Sequence, residues 1–250
     1  MRTLACLVVL VVLALVGVGC GGEVAESGGT VASEAPDAVA VAEETEEPDV
    51  VEETASAEAE VQIEDAGFSV GENDEVGYGL VLRNVSDTSD ATDVEITVNL
   101  LDKSGMVLET DAQELNLIPA GERFYFGGSI YQSASGKPAK LEAFVDVGES
   151  LPAIYRLPEA THVRITNQEY FGIIVQGQVH NDFEGTLLSH ATIGCVLFSK
   201  TGKVVGGGFG YLDADLPSGR TAAFKILNGP SCTPRSKAAK ARVSVDNSFE

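Results

Sequence analysis

An internal repeat, with a shift of 97 to 100 residues, runs through most of this 250-residue chain. The clearest match sets residues 100–107 (LLDKSGMV) against residues 197–204 (LFSKTGKV), and Asn84 matches Asn181 at the same shift. Further matches, in the same order, are Pro119-Ala120-Gly121 with Pro217-Ser218-Gly219 and Val145-Asp146 with Val245-Asp246. A period near 97 residues is the length of a domain and is too long for a solenoid unit. The repeat therefore predicts that one folding unit was duplicated.

Each copy has the hydrophobic pattern of β-strands. Every second residue is apolar in residues 94–100, and residues 193–197 follow the same phase. An alternation with period two is typical of a strand that buries one face. Further strands are predicted around residues 106–108, 123–130 and 141–147, and around residues 203–211, 221–227 and 241–245. Short strands with turns every 8–12 residues favour a β-sandwich.

The turns between these strands have matching chemistry. Lys-Ser-Gly at 103–105 and Lys-Thr-Gly at 200–202 predict hairpin turns, because glycine adopts positive φ without steric cost. Pro-x-Gly marks the next turn in each copy. No segment shows the apolar period of a helix of ten residues.

The order of these features resembles the FxLYD-type immunoglobulin-like domain of bacterial extracytoplasmic proteins. An apolar strand ending in Asn is followed by an alternating strand ending in NLLDKSG (residues 99–105), a Pro-x-Gly turn and an aromatic strand. The second copy departs from the pattern at Ser199, where the family usually has Asp. The resemblance implies the fold and a location outside the cytoplasm, and it transfers no catalytic residues.

We therefore predict an all-β chain with two tandem immunoglobulin-like β-sandwiches. The first is expected at residues 61–150 and the second at residues 160–250. A signal segment at residues 1–19 and a linker at residues 20–60 precede them.

The first twenty residues resemble a bacterial lipoprotein signal. Arg2 precedes an uncharged run from residue 4 to residue 19, which ends in small residues directly before Cys20. Such a short basic start before an apolar run is typical of a secretory signal. The resemblance implies cleavage before Cys20 and diacylglycerol on its thiol. Gly17 departs from the family, which usually has an aliphatic residue three positions before the cysteine.

The alternatives at this terminus are an ordinary signal cleavage and an uncleaved anchor, and both still export the chain. With several acyl chains, a lipoprotein binds a membrane far better than a protein with one chain does. We expect a location on the outer side of the cytoplasmic membrane, or on an outer membrane if the host has one.

Residues 21–60 predict a disordered acidic linker. They contain no aromatic residue, no Lys and no Arg, and residues 1–60 hold 13 of the 38 acids but 1 of the 16 bases. Without large apolar groups, such a segment cannot offset the entropy lost on ordering. The formal net charge of −22, without a basic patch in the sequence, argues against nucleic acid as a partner.

After removal of the signal and lipidation of Cys20, the remaining cysteines are Cys195 and Cys232. Two cysteines in an exported chain could form a disulfide. Cys195 has the phase of a core residue, equivalent to Val98, while Cys232 follows a turn-rich segment. Two buried or free thiols are therefore the alternative.

Two further groups could carry chemistry. Asp87, Asp90 and Asp93 are spaced through a loop and strand start, where carboxylates could hold Ca²⁺; the alternative is a solvated loop. Residues 206–210 (GGGFG) follow a hairpin and open no helix, so they lack phosphate-binding geometry. A strand bulge or close sheet packing is the better interpretation.

The functional prediction is a non-catalytic binding module at the cell surface. Its expected partners are the membrane, through the lipid anchor, and envelope proteins or a wall polymer. An accessory or ligand-presenting subunit of an envelope or transport complex is the alternative, and a hydrolase is the third candidate. No catalytic motif is found, so we expect no enzyme activity, no cofactor and no catalytic residue.

Overall fold

Strands make up most of the described part of the chain in the computed structural model, which describes residues 58–71, 74–132, 136–169 and 172–246. The predicted signal, Cys20 and the linker up to residue 57 lie outside the described residues. The strands of the first half are β1 (Val61–Val70), β2 (Glu75–Asn84), β3 (Ser89–Leu101), β4 (Val107–Ile118), β5 (Arg123–Tyr131) and β6 (Lys140–Pro152). Those of the second half are β7 (Glu159–Gln168), β8 (Gly172–His180), β9 (Thr192–Phe198), β10 (Val204–Tyr211), β11 (Thr221–Ile226) and β12 (Lys240–Val245).

The strands form antiparallel sheets of three strands each. Sheet 1 has the order β1-β2-β5 and sheet 2 the order β4-β3-β6. Sheet 3 has the order β11-β8-β7 and sheet 4 the order β10-β9-β12. Every strand of the first half has its counterpart six strands later, at the equivalent place in its sheet. The shared topology is what a duplicated unit predicts.

The hairpin turns repeat as well. Gly105 and Gly202 have φ of 88° and 83°. In both turns the glycine N–H donates a hydrogen bond to the carbonyl oxygen of the residue three positions earlier. Asp102 Oδ1 accepts bonds inside the first turn, including one from Ser104 N at 2.7 Å. Ser199 Oγ takes this place in the second turn and accepts from Lys203 N at 3.1 Å. The replacement of Asp by Ser therefore keeps the acceptor and loses the charge.

Each half encloses its own apolar core between two sheets. In the first half, sheets 1 and 2 bury Tyr78, Leu80, Ile96, Leu100 and Phe124 completely or almost completely. The core of the second half contains Ile173, Val175, Leu187, Ile193 and Leu197, equally buried. The prediction of an all-β sandwich fold is confirmed.

A line of glycines, here named the glycine seam, brings sheet 1 against sheet 4. A Cβ on Gly79 would lie 2.5 Å from the carbonyl oxygen of Gly206, and one on Gly194 would lie 2.5 Å from that of Tyr125. One on Gly127 would meet the backbone of Gly208. The two sheets therefore approach backbone to backbone, at a distance that any side chain at these positions would prevent.

Apolar and polar contacts complete this interface. Val81, Val196 and Val204 form a small buried cluster, and Tyr125 packs against it from β5. At one end, Asp246 accepts hydrogen bonds from both the backbone and side-chain nitrogens of Asn116. The described part of the chain forms one compact unit. Independent folding of each half stays a prediction.

The folded part begins earlier than the predicted boundary at residue 61. Ala59 is buried against the core of the first half, and its N–H donates to Ser150 Oγ at 2.9 Å. Val85 N donates to the carbonyl of Glu60 at 2.8 Å. Residues 58–60 therefore belong to the fold, and the prediction that they are disordered linker is wrong.

Candidate functional site

The two predicted cysteines are both buried and both free in the structure. Cys195 lies on β9 and faces the core of the second half. Cys232 ends a single 3-10 turn (Pro230–Cys232) and lies against Gly71 of the first half. The predicted disulfide is therefore not formed in the structure. The alternative of two buried thiols describes the structure.

Burial makes both thiols unreactive. It raises the pKa of Cys195 far above its ordinary value of 9.0. The pKa of Cys232 rises to about 12, mainly because of burial, with a further contribution from the nearby negative charge of Glu75. Since the thiolate is the nucleophile, neither cysteine has the surroundings of a reactive one.

Asp90 is a structural residue of the first half. It is buried, and Oδ1 accepts from Ala120 N at 2.7 Å. Oδ2 accepts from the backbone nitrogens of Ile154 and Tyr155, both at 2.9 Å. These bonds tie two loops to the start of β3 and occupy both carboxylate oxygens.

The three predicted calcium ligands do not form a site together. Asp87 and Asp93 are exposed, whereas Asp90 is turned inward. Asp93 has a φ of 50° and packs against Gly148. Among the residues that the structure describes, no group of three acidic, His or Cys side chains could hold a metal ion. The alternative of a solvated loop fits Asp87 and Asp93.

The glycine-rich segment at residues 206–210 lies in β10, at the centre of the glycine seam. A Cβ on Gly207 would lie 2.6 Å from the carbonyl oxygen of Tyr78 and 2.9 Å from Cα of Gly79. The register of β10 with β9 shifts between Val204 and Gly206. Both the predicted bulge and the predicted close sheet packing are therefore confirmed.

A groove with four cationic side chains lies at one edge of the second half. We name it the basic groove; its volume is about 480 Å³. Its cations are Arg164 on β7, Arg235 in the loop before β12, and Lys240 and Arg242 on β12. The remaining lining residues are Tyr125, Ala160, Val163, Ile165, Ala239, Ala241 and Val243. No acidic residue of the described ranges lines this groove.

The topology of the second half creates this groove. β7 is the last strand of sheet 3 and β12 is the last strand of sheet 4, so the groove lies between two sheet edges. On β12, Ala241 and Val243 face the core, and Lys240 and Arg242 alternate with them and are exposed. The period of two in β12 therefore places two charges on one face at the groove.

Within the described part of the chain, no acid forms an ion pair with the cations of the groove. The ion pairs found among the described residues join Arg83 and Arg123 to Glu64, Lys140 to Glu142, and Arg156 to Asp182. Two groove cations contact neutral oxygens instead. Arg164 Nη2 donates to the side-chain amide oxygen of Gln176 at 2.8 Å. Arg235 Nη1 donates to the carbonyl of Ala238 at 2.7 Å. These bonds orient the guanidinium groups and leave their charge uncompensated.

The groove stands out against an acidic chain. Residues 61–155 hold 17 acids and 5 bases, whereas residues 156–250 hold 8 acids and 10 bases. The first half therefore has a negative net charge and the second half a positive one, so the positive potential lies on the second half. Arginine forks bind carboxylate or phosphate oxygens in a bidentate manner, so the groove can bind an anion.

The sequence interpretation missed this site and found no basic patch, because its cations come from distant segments. Arg164 precedes Arg235 by 71 residues in the chain. One signal was available: no acid occurs between Asp215 and Asp246, a stretch that contains six bases. The prediction that the chain has no basic patch is therefore wrong.

Comparison with known proteins gives no assignment: no protein-family model and no curated protein matches this chain. The resemblance to the FxLYD-type domain stays a prediction. Within the described residues, no helix combines the length and apolar character needed to cross a membrane.

Proposed function

We propose that this chain is a membrane-anchored, non-catalytic binding protein that acts outside the cytoplasm, and that the basic groove is its binding surface. The observation that carries this proposal is the set of four cations around one groove, which have no acidic partner among the described residues, in a chain of net charge −22. A side chain whose charge has no partner is available to a ligand.

The architecture supports a role in presentation and recognition. The glycine seam fixes the two halves against each other, and Tyr125 of the first half reaches the groove of the second. A groove built on strands of a rigid scaffold holds its charges in place before a ligand arrives, which lowers the entropic cost of binding.

The proposed anchor rests on the first twenty residues. The apolar run and Cys20 provide for export and lipid attachment, and the acidic segment after them provides a spacer between the membrane and the folded part. Labelled lipid precursor given to producing cells is expected to appear on the wild-type chain and not on Cys20→Ala. Label retained on Cys20→Ala would contradict the anchor.

The binding role is tested with the envelope fraction of the producing cell. Purified full-length chain is immobilised and compared with Lys240→Glu/Arg242→Glu and with the control Lys103→Glu/Lys200→Glu, which changes the same charge in two exposed turns. We expect an envelope component to be retained by the wild type and the control, and lost by the groove variant. Equal retention by all three proteins would reject the groove as the binding surface.

A further inference from the structure

We infer that the ligand of the basic groove is an extended acidic polypeptide segment, which pairs with the free edge of β12 as an additional strand. This inference rests on the proposed function and names the class of partner for the same groove.

Among the described residues, no strand pairs with the outer side of β12, which is accessible at residues 240–243 and buried at Ser244 and Val245. Within sheet 4, which has the order β10-β9-β12, it pairs with β9 along one side. The register runs without a shift from Lys240 opposite Phe198 to Val245 opposite Ile193. The outer side of an edge strand presents a row of backbone N–H and C=O groups that can pair with another extended chain.

The opposite wall of the groove does not offer the same template. The register of β7 with β8 shifts between Thr161 and Arg164, and His162 has a φ of 53°. A bulge of this kind interrupts strand pairing and bends the edge. β12 is therefore the strand to which a peptide would add, while β7 contributes Arg164 from across the groove.

The side chains of β12 specify the sequence pattern of the partner. Lys240 and Arg242 are exposed on the same face, two residues apart. In an antiparallel pair, directly opposed side chains lie about 4.5–5.5 Å apart at Cβ, and opposite charges there are favourable. An added strand with an acid at every second residue would therefore place a carboxylate beside each cation.

The free edge favours a polypeptide over other anions. A phosphate polymer or a lipid headgroup could use the four cations and would leave the N–H and C=O groups of β12 unused. An acidic peptide uses both the charges and the edge. The structure thus gives a reason to prefer an acidic strand, and the two contributions can be measured separately.

The experiment uses fluorescence anisotropy with the full-length chain and three probes. The first is a labelled octapeptide of alternating Glu and Val. The second is the same peptide with its alternate amides N-methylated, which keeps every charge and removes the N–H groups needed for pairing. The third is polyphosphate. The protein variants are Lys240→Glu/Arg242→Glu and the control Lys103→Glu/Lys200→Glu, and their thermal unfolding midpoints verify that both are folded.

We expect the octapeptide to bind the wild type and the control within about twofold of each other. The groove variant should bind it at least about tenfold more weakly, because like charges face the carboxylates. N-methylation should weaken binding by about tenfold or more, since the backbone bonds are lost. Amide hydrogen exchange at residues 240–243 should slow on addition of the octapeptide and stay unchanged with polyphosphate.

Two outcomes would overturn this inference. Equal binding of all three probes, with equal loss in the groove variant, would show a groove that binds anions by charge alone, and the proposed function would stand. Failure of the octapeptide to bind would reject the acidic strand as the ligand. In that case the proposed function is decided by whether the envelope fraction is still retained in a groove-dependent manner.

Discussion

Asn84 and Asn181, 97 residues apart, make equivalent hydrogen bonds in the two halves of the protein. Both side chains are fully buried. Each Nδ2 donates to two backbone carbonyls, at 2.8 and 3.0 Å in the first half and at 2.9 and 2.7 Å in the second. The acceptors are the carbonyls of Ser89 and Ile118 in the first half and of Gly185 and Leu216 in the second. The two halves therefore share a buried polar contact that joins a strand end to two other backbone segments.

Asn84→Ala and Asn181→Ala are each expected to lower the free energy of unfolding by about 2–4 kcal/mol, because buried carbonyls lose their donors. Urea denaturation checks this. The control is Asn99→Ala, since Asn99 is partly exposed and accepts one bond from Thr110. A loss at Asn84 or Asn181 no larger than that of the control would contradict the account.

Gly79→Ala tests the glycine seam. The new Cβ would lie 2.5 Å from the carbonyl oxygen of Gly206, so sheets 1 and 4 would have to separate. Overpacking of this kind costs about 1–3 kcal/mol or more. We expect a lower thermal midpoint and a single unfolding transition that broadens or splits in two, as measured by calorimetry.

Gly105→Ala is the matched control for the seam. No atom lies within 4 Å of a Cβ at Gly105, so the substitution causes no steric clash. Its φ of 88° is unfavourable for alanine, and this backbone strain should lower the free energy of unfolding by about 1–2 kcal/mol. This variant should keep a single sharp transition. If Gly79→Ala also keeps a single sharp transition at the wild-type temperature, the close approach of the sheets is refuted.

Stability is expected to fall at alkaline pH. Burial raises the pKa of Cys232 from 9.0 to about 12 and raises the pKa of Tyr78, which donates to Asp111. These groups ionise more readily in the unfolded chain than in the folded protein. Their contribution to the free energy of unfolding is therefore complete below pH 9 and is lost as the pH rises toward 12. Unfolding midpoints between pH 8 and about pH 11 measure the loss.

The matched variant for this pH dependence is Cys232→Ser with Tyr78→Phe, which removes both groups. Its unfolding midpoint should decline less steeply above pH 9 than that of the wild type. Thiol alkylation provides a second check: both cysteines should resist alkylation in the native protein at pH 8 and react after unfolding. Identical alkaline profiles for variant and wild type would contradict the assignment.

Glu64→Gln should change stability by less than about 1 kcal/mol, because the ion pairs that Glu64 makes with Arg123 and Arg83 are largely exposed. The hydrogen bond from Arg123 is the main cause of the lowered pKa of Glu64. The small stabilisation that the ionised Glu64 carboxylate provides is therefore present above pH 4.5 and lost as the pH falls below that value. Urea denaturation at pH 7 and pH 3 should show a difference from wild type at pH 7 alone.

Local patterns in the sequence predicted the strands and turns because each is set by neighbouring residues. The alternation of apolar and polar residues at 94–100 predicted β3, and the glycine-rich residues 206–210 indicated close sheet packing. The other side of the seam could not be foreseen, since Gly79 and Gly127 lie in separate strands and meet β10 through tertiary packing.

The basic groove shows the same limit of sequence interpretation. Arg164 and Arg242 lie at the edges of two different sheets, and the topology of the second half brings them together. A count of charges along the chain does not reveal such a site, because its cations come from distant segments. The inward turn of Asp90 could not be foreseen either, because its three backbone donors come from two distant loops.

The most direct test of the account is site-specific photo-crosslinking in producing cells. A photoreactive residue is placed at Ala239, which is exposed at the basic groove, or at Thr97, on β3 of the first half. The account predicts a covalent adduct from position 239 that disappears in the Lys240→Glu/Arg242→Glu background, and none from position 97. An adduct at 239 that persists after charge reversal, or equal adducts from both positions, would contradict it.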